Sequence, residues 1–138
     1  MESTRLDVLV VDDEPALREV LSLRIEDWGH EVRAVGDTVE CERELDRRRP
    51  DIVLCDVVLP GETGLELLKR VKRQDERLPM VMMTAHGNID AAVEAMKAGA
   101  TDFLTKPLDY AMLYALLEAT ASTRSSRART RRMSRRRP

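Results

Sequence analysis

The sequence predicts an α/β domain built on a parallel sheet, and three observations carry that prediction. Five short apolar runs alternate along the chain with five helix-like stretches. The first, third and fourth runs are nearly continuous rather than alternating, which suits central strands covered on both faces. The connections are short, so right-handed strand–helix–strand crossovers put helices on both sides of the sheet.

The first run, residues 6–11, reads LDVLVV. A helix then begins at Pro15, a favourable first-turn residue, behind acids that suit a helix N-terminus. Leu17, Val20, Leu21 and Trp28 share one face of it, and Gly29 supplies the stop. Residues 31–35 form the second run. The second helix, 38–49, is weak in apolar residues. Its early Glu40, Glu42 and Glu44 and late Arg47, Arg48 and Arg49 complement the helix dipole, and Pro50 ends it. The third run, 51–55, leads to a helix from Gly64 to about Asp75 that turns Leu65, Leu68 and Val71 inward. After the fourth run, 80–83, Ile89, Ala92, Val93 and Met96 recur at i, i+3, i+4 and i+7, and Gly99 closes that helix. The fifth run, 102–105, precedes a helix over 109–121 with Leu113, Leu116 and Leu117 on its core face. Trp28 and the methionines read as core. No internal repeat is evident.

At 138 residues, 35% charged and 43% hydrophobic, the chain suits one soluble domain. No apolar run approaches the ~20 residues needed to cross a bilayer. The N-terminus carries a six-residue apolar run followed at once by acids, so it is no secretory signal and a cytoplasmic protein is expected. Cys41 and Cys55 lack metal-like spacing and read as packing residues in a reducing compartment. The net charge of -2 hides an asymmetry. Residues 122–138 hold eight arginines and no acid; without them, 15 basic residues face 25 acids. The body is acidic and the tail is basic.

The chemistry-bearing residues stand at the ends of the runs. The first ends in Asp12-Asp13, the third in Asp56, the fourth in Thr84 and the fifth in Lys106. In a parallel α/β sheet, ligands bind beyond the carboxyl ends of the strands. Three converging carboxylates repel one another unless a cation joins them. An all-oxygen set with few protein ligands favours Mg2+, and no His or Cys pattern points to zinc. Mg2+ beside a carboxylate and a lysine is equipment for phosphoryl transfer, in which a carboxylate can be the nucleophile. An Asp-Asp pair alone is also a common solvated strand end, and Thr84 and Lys106 taken singly suit a turn and a solvated surface.

The segments VVDDEP, LCDVVLPGETG, MMTAHG and DFLTKP, in that order, resemble the receiver domain of two-component response regulators, the CheY-like superfamily, over residues 6 to about 121. The resemblance implies a flavodoxin-like sheet of five parallel strands in order 2-1-3-4-5, flanked by five helices. It implies that Asp56 accepts a phosphoryl group from a sensor histidine kinase, with self-catalysed acceptance and hydrolysis as the only chemistry. Asp13 and Asp56 would ligate Mg2+ directly, the main-chain carbonyl of Val57 would be the third protein ligand, and Asp12 would act through a metal-bound water. Lys106 would pair with Asp56 at rest and with a phosphoryl oxygen afterwards. Thr84 would donate to another phosphoryl oxygen, and Phe103 holds the place of the switch aromatic. The Lys106–Pro107 bond would be cis. Val58, two residues beyond Asp56, cannot position an attacking water, which predicts slow self-dephosphorylation. His86 reads as a surface loop residue.

Similar receivers dimerise on phosphorylation through the fourth helix, fifth strand and fifth helix, and Tyr110, Met112 and Tyr114 leave apolar surface there for a partner. The wording TAHGNIDAAVEAMKAGATDFLTKPLD resembles nitrogen-regulatory and acetoacetate-response receivers, which precede an ATPase and a DNA-binding helix-turn-helix. The output is thus an output domain for transcription or, in a stand-alone receiver, a partner protein. Other classes fit less well. A haloacid-dehalogenase-type phosphatase wants an acid where Val58 stands. A flavin binder wants a phosphate-cradling loop where Asp12, Asp13 and Glu14 stand. A receiver-shaped module without phosphorylation would lack some of the five site residues. The Arg-rich tail, 122–138, is expected to be disordered, either as a linker stub or as a basic arm weakly suited to nucleic acid.

Overall fold

The computed structural model describes residues 4–136, with side chains described through Arg124. Its elements run β1 (Asp7–Val11), α1 (Pro15–Asp27), β2 (Glu31–Val35), α2 (Thr38–Arg47), β3 (Ile52–Asp56), α3 (Gly64–Gln74), β4 (Met80–Ala85), α4 (Ile89–Lys97), β5 (Asp102–Lys106) and α5 (Tyr110–Arg136). The five strands form one parallel sheet in order β2-β1-β3-β4-β5. This is the expected fold.

Local chemistry sets the helix ends. Asp37, Thr63 and Asn88 each accept a backbone N–H at the start of α2, α3 and α4. Gly29 and Gly99, both at positive φ, end α1 and α4. The Lys106–Pro107 peptide is cis.

Strand parity divides the core in two. Val8 and Val10 of β1, Ile52 and Leu54 of β3, and Val81 and Met83 of β4 pack against Leu21 and Ile25 of α1 and Leu113 and Leu117 of α5. The alternate residues Leu9, Val11, Val53, Cys55, Met80 and Met82 pack against α2, α3 and α4. Every residue of β3 is buried, as its continuous apolar run requires. By the same parity Asp12, Asp56 and Lys106 leave their strands on the α1/α5 side, and Thr84 and Phe103 on the α4 side.

Several side-chain expectations are corrected. In α4, Ile89, Val93 and Met96 are exposed, and Ala92 and Ala95 are the buried residues. The helix lies close on β4, β5 and α3, where only alanines fit, so the larger apolar residues turn outward. In α1, Val20 is exposed and Ile25 takes its place in the core. In α3, Leu67 is fully buried and Leu65 only half-buried. Met96 and Met112 are surface residues, not core. Tyr110 and Tyr114 both touch α1; Tyr110 is half-buried, while Tyr114 stays exposed, as expected. The Arg24 guanidinium stacks 4.0 Å from the Tyr110 ring centroid, and Trp28 meets Tyr114 edge-to-face at 5.3 Å.

Helix α5 does not stop at 121; its backbone stays helical to Arg136, where composition predicts disorder. Residues 110–136 contain no Gly or Pro, and arginine and alanine are strong helix formers. Extending an existing helix also avoids the cost of nucleation. Of the tail's arginines, Arg124 donates to the Arg5 carbonyl at 2.8 Å and to Asp51 Oδ2 at 3.2 Å; the side chains beyond it, which bear on nucleic-acid binding by the tail, lie outside the described residues.

Candidate functional site

The C-terminal edge of the sheet gathers the predicted residues. β1 delivers Asp12 and Asp13, and the adjacent β3 delivers Asp56. One carboxylate oxygen from each of the three lies within 4.8 Å of the others. Asp12 is fully buried, Asp56 nearly so and Asp13 exposed.

Lys106, from the end of β5, crosses the edge to this cluster. Its ammonium donates to Asp56 Oδ2 at 2.5 Å and to Asp12 Oδ2 at 2.7 Å. Glu14 stands 3.8 Å away. The pairing with Asp56 was expected; the equal pairing with Asp12 was not. The other oxygen of each buried acid is also taken. Asp12 Oδ1 accepts the Glu14 N–H at 2.9 Å, and Asp56 Oδ1 accepts the Val58 N–H at 2.9 Å.

These contacts set the electrostatics. Burial pushes the Asp56 carboxyl above its ordinary value, against the pull of the Lys106 ammonium and the Val58 amide; the Asp12 charge adds to the rise. Burial alone would lower the Lys106 ammonium, but its bonds to Asp12 and Asp56 outweigh that and raise it. An acid cluster held together by one lysine is short of positive charge. All its donors are oxygens, which fits a hard divalent cation such as Mg2+.

Val57 does not suit the role the resemblance implies. Its carbonyl accepts the Gly64 N–H at 2.8 Å and is committed to the start of α3. The approach is tight: a Cβ on Gly64 would lie 1.9 Å from the Asp56 carbonyl oxygen. The next main-chain oxygen, that of Val58, is the alternative candidate; the Val58 N–H donates to Asp56 Oδ1, which holds this residue beside the cluster.

Thr84 is buried, and among the described residues its hydroxyl has no hydrogen-bond partner. A buried hydroxyl left unpaired costs about 1–3 kcal/mol, so an absent acceptor is implied. Behind it lies a cavity of about 280 Å³, lined by Thr84, Phe103, Ile89, Ala92, Val93 and Met96. Phe103 is half-buried at its wall. His86 is exposed, as expected.

The sequence reading missed three residues around the site: Gly64, Gly36 and Arg18. PGETG shows Gly64 but not the close approach to the Asp56 carbonyl that requires it, and Arg18 carries no signal in a sequence rich in arginine.

A parallel sheet in this order, with acids and a lysine meeting on its C-terminal edge, defines a CheY-like α/β domain. The family model described as "Response regulator receiver domain" matches residues 8–118. The chain therefore belongs to the receiver-domain family of two-component response regulators. It is 37% identical over 127 residues to the transcriptional regulatory protein ZraR of Klebsiella oxytoca, covering 91% of this chain and 29% of that protein. It is 39% identical over 119 residues to the nitrogen assimilation regulatory protein NtrX of Azorhizobium caulinodans, covering 85% and 26%. The chain thus spans under a third of these two relatives. Among solved structures, the receiver domain of NtrX from Brucella abortus superposes with a TM-score of 0.80 at 39% identity, covering 85% of this chain and 99% of that one. Among the described residues no helix is long and apolar enough to cross a membrane.

Proposed function

We propose that Asp56 is the phosphoryl acceptor of a phosphorelay and that a sensor histidine kinase is its donor. One observation carries the reading: Lys106 bridges Asp12 and Asp56 within a three-carboxylate cluster. An Asp56 oxygen attacks the phosphorus of a phosphohistidine; the phosphorus–nitrogen bond breaks and its electron pair stays on the imidazole. Asp13 and Asp56, with the Val58 carbonyl, would hold Mg2+, which when bound would neutralise charge on the phosphoryl oxygens. Asp12, whose oxygens are taken by Lys106 and the Glu14 amide, would reach the ion only through a water. Lys106 moves from Asp56 Oδ2 to a phosphoryl oxygen. Thr84 gives its unpaired hydroxyl to another.

The same step drives a switch. Drawing Thr84 toward the phosphoryl group opens the α4 cavity, and the Phe103 ring turns into it. Activation is then a population shift set by the phosphoryl group's preference for one packing. The exposed Ile89, Val93, Met96 and Met112 border this region and supply the face for a phosphorylation-dependent homodimer. Transcriptional control is the output in this reading, in keeping with the names of its relatives.

Incubation with acetyl phosphate and Mg2+ tests the acceptor. Mass spectrometry should find one acid-stable, base-labile phosphoryl group on the wild-type chain and none on Asp56→Asn. Undiminished labelling of the Asn variant would overturn the assignment.

A further inference from the structure

We propose that Arg18 is a positioning residue for the acidic cluster: it fixes the peptide between Asp12 and Asp13, and Gly36 is glycine to make room for it. The inference rests on the proposed reading of the cluster as a divalent-ion and phosphoryl site.

Arg18 lies on the second turn of α1 and is half-buried. Its Nη1 donates to the Asp12 carbonyl at 2.6 Å. That carbonyl belongs to the peptide that leads into Asp13, the exposed acid of the cluster. The rest of Asp12 is also held. Its N–H donates to the Val35 carbonyl at 3.0 Å, and its carboxylate is bound by Lys106 and the Glu14 amide. Among the described residues, Asp13 has no such support from its own side chain. Its direction is set by the peptide before it, and Arg18 is the side chain that grips that peptide.

Gly36 supplies an independent observation. Its backbone is outside the left-handed region, so no conformational need for glycine exists there. A Cβ at this position would lie 3.1 Å from Arg18 Nη1 and 3.6 Å from Cζ. The guanidinium therefore occupies the space a side chain at 36 would fill. The end of β2, the first turns of α1 and the end of β1 meet at this one group. Outer-shell residues of this kind tune metal sites by orienting the groups that bind. The guanidinium also places positive charge beside an acid-rich loop, which eases the mutual repulsion of its carboxylates.

The test compares wild type, Arg18→Met, Arg18→Lys, Gly36→Ala and Arg18→Met/Gly36→Ala. Divalent-ion affinity is read by Mn2+ electron paramagnetic resonance and by Mg2+ calorimetry, and thermal stability is measured alongside. Wild type should bind one ion. Arg18→Met should bind about tenfold more weakly, and Arg18→Lys should recover most of the loss. Gly36→Ala should weaken binding less, in the same direction, and add nothing in the Arg18→Met background, because both act through one contact. If wild type binds no divalent ion, the reading of the cluster fails and this inference with it. If wild type binds and Arg18→Met or Gly36→Ala binds equally well, only the positioning role is overturned. A lowered melting point with unchanged ion affinity would make Arg18 merely structural. Should Arg18→Met not fold, Gly36→Ala and Arg18→Lys still decide the question.

Discussion

Single residues carry the sharpest consequences. Val58 is 66% exposed beside Asp56 and offers no polar side chain to a water. Val58→Asn should shorten the acyl-phosphate lifetime severalfold, read by loss of label after donor removal; an unchanged lifetime would count against the idea. Asp56 itself is held at a cost. A carboxyl whose folded pKa is raised binds its proton more tightly folded than unfolded, so its ionised form lowers stability near neutral pH. The cost vanishes as pH falls through the folded value. Calorimetry should find Asp56→Asn melting above wild type at pH 7, with the gap narrowing toward pH 4. His30 shows the opposite linkage. It is buried, its Nδ1 accepts the Leu6 N–H at 3.0 Å, and burial pushes it below its ordinary 6.5 despite Glu118. Protonation would break the Leu6 bond. Its contribution is complete above 6.5 and is lost as pH falls through the depressed value. Urea unfolding between pH 7.5 and 5 should show this loss, and His30→Gln should flatten it.

At the scale of elements, α4 separates pattern from packing. Of its four apolar residues at helical spacing only Ala92 is buried, joined by Ala95, while Ile89, Val93 and Met96 are exposed. Val93→Thr and Met96→Gln should each change unfolding free energy by less than ~0.5 kcal/mol. Ala95→Val, at a fully buried position, should cost about 1–3 kcal/mol. Gly64→Ala should be worse, since the start of α3 would have to leave the Asp56 carbonyl. Hydrophobic periodicity reports which residues could face inward, not how near the backbone comes. The strands were legible because β3 and β4 are buried on both faces and so read as continuous runs. The end of α5 is helical where a polar, charged composition alone suggests disorder, because the preceding helix lends it a nucleus. Truncation after Arg124 should lower the far-ultraviolet helix signal; a disordered tail would leave it unchanged.

For the whole molecule, the proposed mechanism has the sheet join a reacting edge to a responding face. Asp12, Asp56 and Lys106 leave on the α1/α5 side, and Thr84 and Phe103 on the α4 side, so a phosphoryl group reaching Thr84 touches both. Sedimentation with acetyl phosphate and Mg2+ should reveal dimer for wild type and monomer for Met112→Arg, with equal phosphorylation of the two. Dimer formation by the Arg variant would move the interface elsewhere.

The sequence alone determined the βα repeat, the strand ends and the residues stationed there, because each depends on local pattern along the chain. It could not show that Lys106 grips two acids, that the Val57 carbonyl is already committed to Gly64, or that Arg18 and Gly36 share one space. Those depend on contacts between segments distant in the chain. Distances of that kind exist only once strands have paired and helices have closed over them.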